Sequence, residues 1–440
     1  MMKKLALVWL FALSLATGGM AQIPTPVVVG APPSGEKPED LRRKTFDIVW
    51  QTVKDKHFDP RLGGVNWDRV RGQYEPRAAA ATSDPELYRV LQEMLGELHQ
   101  SHFNIIPPEA IIPEEEKQPG GGIGIELRMI DGAAVITRVE PDSPAFRAGL
   151  RTGFVIKKAG GKSVEQFAGQ VARSNQSEAM NAVRITRRIL GEVNGEPGTT
   201  TLLTVLDGRN TPREAAVGRE RLKGELSPPL GNFPPQYTEF ESKRLGGNIG
   251  YIRFNIFTTP VIGMVRQAIR DLRDTDGLVF DLRGNPGGVG GIAVSIGGQL
   301  VAKGGSFGTM KMRTSEVKFA VFPQQDAYAG PVAILMDGMS ASTSEIFAAG
   351  MQELGRAIVV GERSAGACLP SYFQKLPTGA IFQFAVADFK TPKGILVEGR
   401  GVTPDLEVKW NRASLLAGRD AQLDAAIERL QRLRRKSRAI

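Results

Sequence analysis

Cysteine is nearly absent from this chain: Cys368 is the only one among 440 residues. A single thiol forms no internal disulfide, so the fold must rest on apolar burial alone. The same scarcity excludes a cysteine-based zinc site, and three histidines (His57, His99 and His102) leave little for any other metal centre. We expect neither metal nor cofactor. Long apolar runs are also scarce. Beyond residue 21 none approaches the ~20 residues a membrane-spanning helix requires. Basic residues outnumber acidic ones, 56 to 47, but the excess is diffuse apart from Arg429, Arg432, Arg434, Arg435, Lys436 and Arg438. Nucleic-acid binding needs a basic face on a recognisable module, and the sequence offers none, so that tail reads as a solvated helix face. What remains is an ordinary globular composition, long enough for about three folded units of ~150 residues.

The first 21 residues have the pattern of a secretory signal. Lys3 and Lys4 precede a short apolar run at 5–16, and Gly19-Met20-Ala21 gives a small-x-small cleavage site before Gln22. The run is too short to span a bilayer, and no cysteine follows it for lipid attachment. The expectation is a periplasmic or secreted protein cleaved after Ala21. Residues 22–37 are rich in Pro and Gly and read as a flexible lead-in. Residues 38–110 carry helical periodicity: Phe46, Val49, Trp50 and Val53 share one face, a second helix starts near Trp67, and a third near Ser83. From 118 to 223 the period falls to two. Strands at 123–129 and 134–139 flank Asp131-Gly132, a second pair at 202–206 and 213–218 flanks Asp207-Gly208, and an amphipathic helix at 174–191 lies between the pairs. From 230 to 411, apolar strands alternate with helices, which implies a largely parallel sheet. Residues 412–440 close the chain with a helix. The fold class is therefore α/β and multidomain.

Two loops follow predicted parallel strands, where open α/β sheets place their sites. The first is DLRGNPGG at 281–288, whose Gly287 and Gly288 let the backbone turn and offer N–H groups to an oxyanion. A glycine pair alone is as well explained by a plain turn. The second is DGMSASTSE at 337–345, which puts hydroxyls at the start of a helix, beside free N–H groups and the positive end of the dipole. Serines there also serve simply as caps.

Together these two motifs resemble the C-terminal processing, or tail-specific, protease family, which is related to the tricorn-type proteases. The resemblance implies a crotonase- and ClpP-like α/β core. It extends backward: Gly121-Gly122-Ile123-Gly124-Ile125 resembles a PDZ carboxylate-binding loop, and VEPDSPA at 139–145 with Ala148-Gly149-Leu150 is like the bacterial PDZ pattern. By resemblance, Gly122, Ile123, Gly124 and Ile125 bind peptide, Ser342 is the nucleophile, and Thr343 with Gly287 or Gly288 supplies the oxyanion N–H groups. Many members activate the serine with a lysine 25 positions later; here that position is Ala367. Tricorn-type relatives instead use a histidine just ahead of the PDZ domain and a late glutamate. The matching residues are His102, next to Ser101, and Glu398.

The implied function is an exported, PDZ-gated serine endopeptidase acting on polypeptides through their C-terminal tails, with Ser342 as nucleophile, His102 as base, Glu398 orienting it and Ser101 bridging. His99 is the first competitor for the base, while Lys390 and Lys393 are weaker ones. Loss of the family lysine motivates the alternative, a catalytically inactive PDZ-containing scaffold of the cell envelope. An acyl-CoA enzyme on the same core is disfavoured by the export signal. For Cys368 we expect packing beside the active-site loop.

Overall fold

The computed structural model describes residues 36–108, 120–171, 178–230, 233 and 235–438. The signal sequence and nearly all of the lead-in lie outside the described residues.

Helices α1 (Pro38–Lys56), α2 (Trp67–Ala79) and α3 (Asp84–Gly96) form at the predicted positions. Local chemistry starts them: Pro38 and Pro85 occupy first turns, and the Asn66 side chain accepts the Arg69 N–H at the head of α2. Phe46, Val49 and Val53 of α1 meet Leu87, Leu91 and Met94 of α3 in full burial. This core is not self-contained. Strand β1 (Asn104–Ile106) leads away from α3, and the same apolar cluster takes in Leu369, Leu376, Phe382 and Phe384 from the last third of the chain. Three helices of this length bury too little apolar surface alone, and distant strands supply the rest.

The middle module comprises β2 (Gly121–Gly122), β3 (Ile125–Ile130), β4 (Ala133–Val139), α4 (Pro144–Arg147), β5 (Val155–Ala159), β6 (Lys162–Ser163), α5 (Val164–Val171), α6 (Glu178–Val193), β7 (Thr200–Leu206), β8 (Pro212–Gly218) and β9 (Glu220–Arg221). Its main sheet runs β3-β4-β5-β7-β8, which leaves β3 as an edge. Asp131 and Gly132 both have positive φ, 48° and 76°, as a tight β3–β4 turn requires. The β7–β8 connection is wider than a two-residue turn: the Asp207 N–H reaches Thr211 O across a five-residue loop.

The α/β body follows, with β10 (Glu225–Leu226), β11 (Tyr237–Thr238), β12 (Phe240–Leu245), β13 (Ile249–Phe254), α7 (Thr259–Asp271), β14 (Gly277–Asp281), α8 (Gly290–Gly298), β15 (Gly305–Lys311), β16 (Glu316–Val321), β17 (Val332–Met336), α9 (Thr343–Glu353), β18 (Ala357–Gly361), β19 (Ser371–Lys375), β20 (Ile381–Ala385), β21 (Asp388–Lys390), β22 (Leu406–Glu407), α10 (Arg412–Leu416) and α11 (Ala421–Arg438). The large sheet runs β12-β13-β14-β17-β18-β22, parallel except at β12. Every residue of β14 and β17 is buried, because α7, α8 and α9 cover one face and α11 the other. Two pieces escape the alternating pattern. The sheet β16-β15-β21 and the hairpin β19–β20 pair antiparallel, and β20 takes β1 as its outer neighbour.

The module is fastened to the body along β3. Arg128 pairs with the fully buried Asp337, Arg253 with Glu126, and Arg138 with Glu241. On the same side the Arg412 guanidinium donates to Gly153 O and Asp207 O, while Leu415 packs on Ile130, Val135 and Val155.

Candidate active site

Strands β14 and β17 are parallel neighbours, so the turns that leave their carboxyl ends lie side by side. Hydrogen bonds knit them together. The Ala341 N–H and the Ser344 hydroxyl both donate to Asn285 O, the Ser340 hydroxyl to Leu282 O, and the Thr343 hydroxyl to Gly288 O. These bonds separate the three serines of the motif. Ser340 and Ser344 are fully buried with hydroxyls engaged by backbone; Ser342 alone is partly exposed. Its backbone sits at φ 53°, ψ −117°, a strained conformation for a non-glycine residue that lifts the side chain out of the turn at the head of α9.

Glu345 braces that strain. Its buried carboxylate accepts the Ser342 N–H, the Ser364 hydroxyl, and the N–H groups of Gly366 and Ala367, at 2.6–3.1 Å. Burial, with a smaller contribution from the Glu398 charge, pushes its pKa up to about 7. The position of a glutamate three residues after an N-terminal serine is the signal that identifies its bracing role.

Gly287 presses against the Ser342 turn: a Cβ built there would fall 2.7 Å from Ser342 Cβ and 2.8 Å from the Thr343 nitrogen. Its own N–H donates to Asn285 Oδ1 at 2.9 Å, which withdraws it from the expected role. The N–H groups of Gly288 and Thr343 have no partner among the described residues and remain as the candidate oxyanion donors.

His102 comes from the turn after α3, at φ 61°. Ser101 Oγ lies 2.7 Å from His102 Nδ1 and 2.9 Å from Glu398 Oε2, while the Ser101 N–H donates to Glu398 Oε1. Glu398 therefore reaches the histidine through Ser101 rather than directly. Because the carboxylate takes the Ser101 proton, Ser101 Oγ accepts from Nδ1–H, and the neutral ring keeps a bare Nε2, the form a general base requires. Glu398 Oε2 also accepts the Cys368 N–H, and Ala367 O accepts the Ser342 N–H, so one loop at 364–368 holds both the serine and the histidine's support. Burial raises the Glu398 pKa. Although part of His102 is open to solvent, its crowded cleft strips water from the ring, and the Arg187 charge adds to that effect. Its pKa is lowered to about 4. No hydrogen bond joins the ring to Ser342 among the described residues.

The other histidines are elsewhere. His99 is exposed, and His57 is fully buried, bonded through Nε2 to Gln100 Oε1 and stacked between Phe58 and Phe103. Lys390 sits in β21 and Lys393 in the turn beyond it, where its N–H bonds Glu353. Ala367, at the position of the family lysine, packs its methyl with Ala341, Ala365 and Met180. Cys368 is buried, its thiol pushed far above the usual range by burial and the nearby carboxylates, with Sγ 3.6 Å from Ser342 O.

In the module, the loop before β3 turns at Gly124, φ 78°, where any Cβ would meet Ser143 at 2.5 Å. Ile123 is buried in the module core, and the N–H groups of Ile123 and Gly124 have no partner among the described residues. Helix α6 packs along β3.

A family model described as peptidase family S41 matches residues 248–408, and one described as the tricorn protease C1 domain matches 38–96. The carboxy-terminal-processing protease of Bartonella bacilliformis is 29% identical over 381 residues, 82% of this chain and 78% of that protein. The carboxyl-terminal-processing protease of a Synechocystis species is 24% identical over 432 residues, 96% of this chain and 93% of its own length. Among solved structures, a photosystem II D1 C-terminal processing protease matches with a TM-score of 0.58 at 20% identity, covering 84% of this chain and 93% of that one.

Proposed function

The chain belongs to the carboxyl-terminal processing proteases of peptidase family S41, and from that premise we propose that this serine peptidase is an exported endopeptidase working by a Ser-His-Glu arrangement bridged by Ser101. Ser342 Oγ attacks the scissile carbonyl carbon while His102 Nε2 takes the hydroxyl proton. Positive charge on the imidazole is then relieved through Nδ1–H to Ser101 and Glu398. The oxyanion receives the N–H groups of Thr343 and Gly288. The imidazolium returns its proton to the departing amine, and the acyl-enzyme is cleared by water that the same base activates.

The observation that carries this reading is the unbroken chain from His102 through Ser101 to Glu398, anchored on the loop that also fixes Ser342. Ala367 has no group to serve as a base, His57 is fully buried away from solvent, and His99 is exposed. We assign residues 118–223 as a PDZ-type module on a crotonase- and ClpP-like core at 230–411. An edge strand preceded by a glycine loop with open N–H groups suits a C-terminal carboxylate and β-augmentation. In this reading a tail bound to the module draws the His102 ring onto Ser342 Oγ.

A fluorophosphonate probe should label the mature protein, with labelling abolished in Ser342→Ala. Equal labelling of the variant would remove Ser342 from the role, and a protein that neither labels nor cleaves an unfolded polypeptide would leave only the scaffold reading.

A further inference from the structure

Helix α6 carries two distinct faces. Val183, Thr186, Ile189 and Val193 are buried in the module. Met180, Arg184 and Arg187 recur at i, i+4 and i+7, which stacks them along another side. Met180 packs against Ala341, Ala365 and Ala367 around the nucleophile turn, so this second face lies along the catalytic cleft. Arg187, two turns further on, brings its charge to bear on His102.

These arginines differ from their counterparts elsewhere between module and body. Arg128, Arg138 and Arg253 are each paired with a carboxylate. Arg184 and Arg187 have neither an ion pair nor a hydrogen bond among the described residues. The carboxylates of the cleft do not serve them: Glu345 is occupied by the nucleophile turn, and Glu398 by Ser101 and Cys368. Crowding holds both guanidinium groups below the ordinary arginine range, helped by the Arg188 charge at Arg184 and the Arg184 charge at Arg187. Arg184 is half-buried and Arg187 exposed, so both guanidinium groups are open to the planar two-oxygen partner they are shaped to bind.

We propose that Arg184 and Arg187 form a carboxylate subsite, selecting polypeptides with an acidic side chain or a free C-terminal carboxylate within a few residues of the scissile bond. This rests on the reading of Ser342 and His102 as the hydrolytic pair, since that pair defines where the scissile bond lies. A carboxylate docked there pairs with the arginines and draws the substrate backbone across the mouth of the nucleophile turn.

The test uses full-length mature protein and fluorescent unstructured peptides in matched sets: Asp or Glu against Asn or Gln beside the cleavage point, and free acid against amide at the C-terminus. Binding is read by anisotropy on Ser342→Ala, and cleavage on the wild type. Charged members should bind about tenfold tighter than neutral ones, an advantage that shrinks in high salt. The side-chain and C-terminal sets identify which carboxylate is used. Arg184→Gln with Arg187→Gln should bring the ratio to about one, Arg184→Lys with Arg187→Lys should retain part of it, and Arg187→Glu should turn the preference toward Lys-containing peptides. Equal affinity for charged and neutral peptides overturns the proposal, as does a preference that survives the double glutamine variant. Because anisotropy needs no hydrolysis, its outcome stands even if the catalytic reading fails.

Discussion

The middle module meets the α/β body along two edges of opposite character. At β3 the contact is built on ion pairs: Arg128, Arg138 and Arg253 all have carboxylate partners, and α10 adds Leu415 and Arg412. At α6, Met180 packs against three alanines, and Arg184 and Arg187 have no carboxylate partner among the described residues. The first edge has the features of a fixed attachment. The second presents guanidinium groups open to solvent beside the Ser342 turn, where a carboxylate can reach them. The difference predicts that damage at β3 will lower stability, whereas damage around α6 and the cleft will lower rate.

The strongest test lies in the cleft. His102→Ala should reduce kcat by about 10³–10⁴-fold with little change in unfolding temperature, whereas His99→Ala, at an exposed position, should stay within about twofold. Equal losses in the two variants would remove His102 from the role of base.

Next comes the β3 edge. Asp337 is fully buried and accepts N–H groups of Gly284 and Met339, one from each active-site turn, besides pairing with Arg128. Arg128→Ala should lower unfolding free energy by about 3 kcal/mol, because it leaves that carboxylate unpaired in the interior. A denaturant titration showing no change would mean that the two edges are alike.

The pH response separates the edges more gently. A base must be neutral to act, so activity is gained as pH rises through the His102 pKa. With that value lowered to about 4, kcat/KM should be nearly flat from about pH 5 to 7, whereas an unshifted histidine would place the acid limb near 6.5. Arg187→Gln removes a positive charge that disfavours the imidazolium, so the limb should move upward, while Arg128→Ala should leave it in place. The same shift has a stability consequence. The unfolded histidine takes up its proton first, so the stability contributed by the neutral, partly buried ring is lost as pH falls from about 6.5 toward 4.

Much of this molecule was legible before any fold was known. The α/β body follows from apolar strands such as 332–336 alternating with amphipathic helices, and both active-site turns sit where parallel strands must end. The helical part was legible in its elements but not in its extent, because its core borrows β19 and β20, and antiparallel hairpins bury only one side and give a short, weak pattern. The proposal of His102 as the base was reached only through resemblance. No local rule marks a histidine in a turn as the neighbour of a serine distant in sequence.

The sequence on its own settled which groups were available: one thiol, three imidazoles, no lysine at position 367, and a serine cluster at a helix start. Tertiary structure alone decided which of them work together. It buried the hydroxyls of Ser340 and Ser344 and left Ser342 partly exposed, tied the Gly287 N–H to Asn285, and routed Glu398 to His102 through Ser101. It also brought Met180 of α6 against the Ser342 turn, on the helix side that carries Arg184 and Arg187. The physical reason is range. Periodicity and turn chemistry act over a few residues, whereas hydrogen bonds and charge act across space between segments that only the packed core brings together.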